Sequence, residues 1–161
     1  HLSDCTSELS HGNFLLHAER PLPAIINVGH RELLLRPEYV QKHYAADISA
    51  ADLARDRTES LDQLRARCAA VSRVFLDLDC DVFDAAFFPA LAQPRPCGLE
   101  PSFVISLLDA IDPRKLVGWA ISEFDPARDQ HDRSLETLMW LIEYMLLARY
   151  EKAAMHLTPQ R

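Results

Sequence analysis

The chain has 161 residues, 48% of them hydrophobic and 25% charged. That balance fits one folded domain with a real core, and it excludes a disordered chain or two ordinary domains. The formal net charge is −7, from 17 basic and 24 acidic residues, which argues against a nucleic-acid partner; the acidity reads first as solubility and also suits a cationic metal or substrate.

Pro21 to Gly29 reads as a turn followed by a strand, Ala24-Ile25-Ile26-Asn27-Val28, apolar enough to be buried on both faces. Pro37 to Tyr44 predicts a short helix with proline in its first turn. Asp47 to Asp56 reads as a polar connection with room for one short element. Thr58 is the expected N-cap of a helix that lines up Leu61, Leu64, Cys68 and Val71. Val74 to Leu78 is the next buried strand. Phe83 to Leu99 contains Pro89, Pro94, Pro96 and Gly98 and must be a loop, long enough to suggest function. Pro101 opens a helix with Phe103, Val104, Leu107, Leu108 and Ile111, ended by Asp112-Pro113. Leu116 to Ile121 is a third strand, and Asp125 to Asp132 a polar loop. Ser134 is the expected cap of a long helix whose apolar face carries Leu135, Leu138, Ile142, Met145, Leu146 and Tyr150. No clear structure is expected after Lys152.

Strands alternating with helices predict a mostly parallel sheet covered by helices. Cys5, Cys68, Cys80 and Cys97 form no Cys-x-x-Cys pair, so reduced thiols and a cytoplasmic location are expected. The opening His1-Leu2-Ser3-Asp4 lacks the apolar core of a signal peptide, and a start at His instead of Met suggests a fragment or processed product. The longest apolar-rich stretch, Leu138 to Ala148, contains Glu143 and is too short to span a bilayer, so no membrane partner is expected.

In parallel sheets ligands bind beyond the carboxyl ends of the strands. Asp77-Leu78-Asp79-Cys80-Asp81-Val82-Phe83-Asp84 places four carboxylates at such an end. Burying them without a cation would be costly, and hard oxygen donors suit Mn²⁺ or Mg²⁺. Alternation would send Asp77, Asp79 and Asp81 to one side. Spacing alone leaves a solvated acidic turn open as the other reading. Glu123 directly follows the third strand, beside the first cluster. His11, before Gly12, is placed for proton transfer near neutral pH if it sits on a tight turn. By themselves Glu123 and His11 read better as ordinary surface residues, and His1-x-x-Asp4 is a weak pattern.

Taken in order, these residues resemble the arginase/agmatinase (ureohydrolase) family. Asp77 to Pro89 is similar to the family's Ser-x-Asp-x-Asp-x-x-Asp-Pro-x-x-x-Pro segment. Pro96-Cys97-Gly98-Leu99 resembles Gly-Gly-Leu before a helix, and Val117 to Pro126 resembles Gly-x-x-x-x-Glu-x-x-Pro. Ser10-His11-Gly12 and Val28-Gly29-His30-Arg31 resemble Ser-His-Gly and Val-Gly-x-Arg. The resemblance implies a three-layer α/β/α sandwich, incomplete at its N-terminus, corresponding to roughly the second half of the family domain.

It also implies a binuclear Mn²⁺ site and C–N bond cleavage in a linear amidine or guanidine by a Mn-bridged hydroxide. Asp79 and Asp81 correspond to metal ligands, with His1 and Asp4 near the position of further ones. Glu123 corresponds to the acid that binds the cationic substrate, His11 to the proton-shuttling histidine, and Asn13 is a substrate-binding candidate. Asp84 is expected to support the loop behind the ligands. A homo-oligomer is among the assemblies the resemblance implies. Arginine, agmatine, a guanidino acid and formiminoglutamate all fit as substrates.

The sequence also departs from the family. Nothing matches its Gly-Gly-Asp-His segment, and His1 to Asp4 has the wrong spacing for Asp-Ala-His-x-Asp. Ala85 replaces a proline, and Asp77 a small polar residue. Two alternatives follow: a non-catalytic protein or fragment of this fold that has lost its full metal site, and a metal-dependent deacetylase of the same broad fold.

Overall fold

A computed structural model of the chain describes residues 8–10, 13–19, 21–32 and 37–155. In order, the elements are β1 (Ile26–Val28), α1 (Pro37–His43), β2 (Ala46–Ile48), α2 (Ala50–Arg55), α3 (Arg57–Ala69), β3 (Val74–Asp79), α4 (Pro101–Leu108), β4 (Leu116–Ser122) and α5 (Arg133–Met155). β1 pairs parallel with β2, and β3 with β4. Each pair is joined across a helix, as parallel strands require. The α/β class expected from the sequence is therefore present. Among the described residues the ladders fall into two pairs.

Local chemistry places the helix starts differently from the sequence expectation in three places. The stretch expected to be a polar connection holds both β2 and α2. There Ser49 and Asp52 form a reciprocal capping box, the Ser49 side chain taking the Asp52 N–H and the Asp52 carboxylate taking the Ser49 N–H. α3 is capped by Asp56, not Thr58: α2 ends one residue before it, and its carboxylate accepts the Glu59 N–H at 3.0 Å. The helix turns Leu64 and Cys68 inward and stops at Ala69, which leaves Val71 outside it and exposed.

α5 begins at Arg133, so Ser134 lies inside the helix instead of capping it. Its buried hydroxyl accepts the Ala90 N–H at 3.2 Å. The Asp129 carboxylate takes the Ser134 and Leu135 N–H groups, at 3.0 and 2.9 Å. The buried stripe is Ser134, Leu138, Leu141 and Met145, so Leu135, Leu146 and Tyr150 face outward. Leu141 at the centre of that stripe is the helical position the expected face left out. The helix also runs past Lys152 to Met155.

The core joins α3, β3, α4 and α5 through Leu64, Leu78, Phe103, Val104, Leu138 and Leu141. The loop after β3 belongs to it. Phe83, Phe88, Ala90 and Leu91 are fully buried, and the Phe83 and Phe88 rings stack at 4.8 Å with Phe124 edge-on to Phe88 at 6.0 Å. This apolar payload fixes a loop that has no regular ladder. One face of the β3–β4 pair is open among the described residues, with Phe75 63% and Val117 52% exposed. No helix of the described residues is long and apolar enough to cross a membrane.

Candidate metal and substrate site

β3 ends on Asp79 and β4 on Ser122, and the parallel register pairs these two residues. Both strands therefore deliver their next residues to one edge. Glu123 follows Ser122 with φ of 61°, a left-handed backbone conformation that costs a side-chain-bearing residue about 1 kcal/mol or more. Such strain persists where the surroundings fix it, and here it lies in the turn that leaves the sheet.

After Asp79 the chain enters a 3-10 turn, Cys80–Val82. The Asp79 carboxylate caps that turn, accepting the Asp81 N–H at 2.9 Å. Strand alternation therefore stops at Asp79, contrary to the expected run through Asp81: the turn, not the pleat, aims Asp81. Asp77 is exposed on the strand.

The charges of Asp79 and Glu123 both act on Asp81. Burial, reinforced by the charges of Asp79 and Glu123, pushes the Asp81 carboxyl up, against the opposing effect of Arg31 and Arg95. Burial and the three carboxylates push the Cys80 thiol up to about 12, which makes it an inert, fully buried apolar side chain. Asp81 Oδ1 is buried with no hydrogen-bond partner. A buried, unpaired carboxylate oxygen among other carboxylates is costly, and a divalent cation is the chemistry that would satisfy it.

Asp79 and Asp81 fit such an ion as hard oxygen donors. Among the described residues, no group of three or more His, Cys, Asp or Glu side chains is arranged to hold a metal. His1, Asp4 and His11 lie outside the described residues. Asn13 is fully buried, with its side-chain oxygen accepting the Ser10 N–H and its amide nitrogen donating to the Glu8 carbonyl, both at 2.8 Å.

The loop behind the acids is held from two sides. The Asp84 carboxylate accepts the N–H groups of Ala86 at 2.8 Å and Gly98 at 3.1 Å. These bonds, the Ala86 one first, hold its carboxyl below the usual range. Gly98 permits the approach: a Cβ there would lie 2.4 Å from the Asp84 nitrogen and the Phe83 carbonyl carbon.

From the other side comes the end of β1. Gly29, at φ 84°, brings the chain so close that a Cβ would meet Val82 Cγ2 at 2.6 Å. Arg31 then reaches across. Its Nη1 donates to the carbonyls of Phe83 and Arg95, each at 3.2 Å, and its Nη2 donates to the carbonyl of Asp81. The sequence marked Arg31 only as part of a motif, because no spacing rule predicts a contact across fifty residues.

A third group, Asn27, His30 and Asp47, was also missed. The Asp47 carboxylate accepts the Asn27 amide at 2.9 Å and pairs with His30 Nε2 at 2.8 Å. His30 Nδ1 takes the Glu32 N–H at 3.2 Å, which places the ring proton on Nε2. The parallel register Asn27↔Asp47 assembles this group, and pairing of short strands was the signal that could have found it.

A sequence model of the arginase family matches residues 2–148. The chain is 29% identical over 101 residues to the formimidoylglutamase of Halobacterium salinarum, covering 62% of this chain and 33% of that protein. It is 28% identical over 130 residues to the agmatinase of Proteus mirabilis, covering 78% and 41%. Its fold matches the crystal structure of agmatine ureohydrolase of Thermoplasma volcanium with a TM-score of 0.68 at 24% identity, over 82% of this chain and 44% of that one. The chain thus spans less than half the length of each of these relatives. With the family model matched along most of its length and the same fold beneath the match, the chain belongs to the arginase family.

Proposed function

We propose that this chain carries part of the active site of a metal-dependent hydrolase that cleaves the C–N bond of a linear amidine or guanidine. The observation that carries the reading is the convergence of Asp79, Asp81 and Glu123 at the carboxyl ends of two paired parallel strands, with one buried Asp81 oxygen left without a partner. Family membership and relatives named agmatinase and formimidoylglutamase support it.

Asp79 and Asp81 would hold a divalent metal, Mn²⁺ in this proposal, with His1 and Asp4 as candidate additional donors. Bound there, the metal would supply Lewis acidity and make water a nucleophile at neutral pH. Glu123 would accept the N–H groups of the cationic substrate and set its central carbon against the attacking oxygen. A C–O bond forms at that carbon and the C–N bond to the leaving amine breaks. His11 would deliver the proton that the amine nitrogen needs to leave. The products are an amide, such as urea, and an amine.

The test is metal content followed by turnover. Mn²⁺-loaded protein offered agmatine, arginine and formiminoglutamate is expected to release urea or formamide from one of them, and Asp79→Asn to lose both metal and turnover. Protein that takes up no Mn²⁺, with Asp79→Asn changing neither metal content nor stability, would overturn the proposal. A second reading, a non-catalytic protein of this fold, is favoured by one observation: no third donor joins Asp79 and Asp81 among the described residues. The same metal titration separates the two.

A further inference from the structure

Arg31 spends its guanidinium on three backbone carbonyls, not on a carboxylate. Two of them, Asp81 and Phe83, lie on the segment leaving β3. The third, Arg95, lies on the returning side of the same loop. One planar fork therefore ties both sides of the loop to the end of β1. A guanidinium suits this task because its donors are rigid and divergent, whereas an ammonium is a single point.

The clamp reaches the residue that matters most. One of its acceptors is the carbonyl of Asp81 itself, and Asp81 also gives its N–H to the Asp79 carboxylate. The backbone of Asp81 is thus held on one side by Asp79 and on the other by Arg31. Gly29 makes the reach possible, since a Cβ there would collide with Val82 Cγ2 at 2.6 Å and crowd Leu99 Cδ1 at 3.1 Å.

We infer that Arg31 is a positioning residue for the Asp79–Asp81 pair, setting the aim of both carboxylates through the backbone of the Cys80–Val82 turn without touching the metal. The inference rests on the proposed metal site. Groups that orient metal ligands from behind commonly change metal affinity about 10- to 100-fold when removed.

The experiment measures Mn²⁺ affinity of the full chain by the electron-paramagnetic-resonance signal of free Mn²⁺, beside the melting temperature of the metal-free protein. The variants are Arg31→Met, Arg31→Lys and a control, Lys115→Met. Lys115 is also a cation donating to carbonyls, those of Cys68 and Ala69, but it lies at the opposite end of β4 from Glu123. The expected result is Mn²⁺ affinity weakened about tenfold or more in Arg31→Met. Arg31→Lys should be intermediate and Lys115→Met unchanged, even where its melting temperature falls.

Wild-type affinity in Arg31→Met, or an equal loss in Lys115→Met, would overturn the inference while leaving the metal site standing. A wild-type chain that binds no Mn²⁺ would overturn both. If Arg31→Met does not fold, Arg31→Lys decides: weakened binding at a wild-type melting temperature supports the positioning role, and unchanged binding overturns it.

Discussion

Asp81 holds a buried oxygen without a partner beside two other carboxylates, an arrangement that costs stability and is tolerated at functional sites. Asp81→Asn removes the repulsion. It is expected to stabilise the metal-free protein by about 1 kcal/mol while abolishing its response to Mn²⁺. Thermal melts with and without Mn²⁺ check both halves, and a variant that Mn²⁺ still stabilises as it does the wild type would count against a ligand role. Gly98 is a different case, because the atoms in its way are backbone and cannot swing aside. Gly98→Ala should cost about 1–3 kcal/mol in urea denaturation, by pushing the Phe83–Asp84 peptide away from residue 98. The carboxylates at the strand ends were legible in the sequence as clustered charge after an apolar run. The clamp by Arg31 and the group around Asp47 were not, since both depend on contacts between segments far apart in the chain.

At the scale of elements, helix starts were the least legible feature. Thr58 and Ser134 both satisfy local capping rules, yet the caps are made by acids further upstream, Asp56 and Asp129. Asp129 does this from five and six residues away, across a turn whose shape no local rule specifies. Burial would raise its carboxyl, but the Ser134 and Leu135 N–H groups and the Ser134 hydroxyl outweigh that and hold it below the usual value. The sign follows. A folded-state value below the unfolded one adds stability above the unfolded value near pH 4 and loses it as the pH falls through the folded value. Asp129→Asn should therefore be less stable than the wild type at pH 7, by about 1 kcal/mol. The gap should close as both proteins are melted at progressively lower pH, below pH 4. A gap that stays constant across that range would show that the charge of Asp129 is not what holds the start of α5.

Over the whole molecule, the proposed metal site links function to stability. A ligand that binds only the folded state stabilises it by mass action, by about 2.7 kcal/mol at a hundredfold excess over its dissociation constant. Mn²⁺ should accordingly raise the melting temperature in a concentration-dependent way, and a chelator should reverse it. No shift at saturating Mn²⁺ would remove the metal from the proposal. The loop between β3 and α4 is where this gain should be felt, because it is fixed by buried Phe83 and Phe88, by Asp84 and by Arg31, with little regular structure of its own.

By itself the sequence determined the α/β class, the strands and helices apart from β2 and α2, and the placing of Asp79, Asp81 and Glu123 after apolar runs. Hydrophobic periodicity and strand-end chemistry are local properties, readable within a window of ten or so residues. Only the tertiary structure decided that β3 and β4 are partners with Asp79 opposite Ser122, that Asp81 sits on a turn instead of a strand, and that Arg31 holds that turn from β1. Those facts depend on register, on close approach at Gly29, and on hydrogen bonds between segments about fifty residues apart, which packing sets and no local pattern encodes.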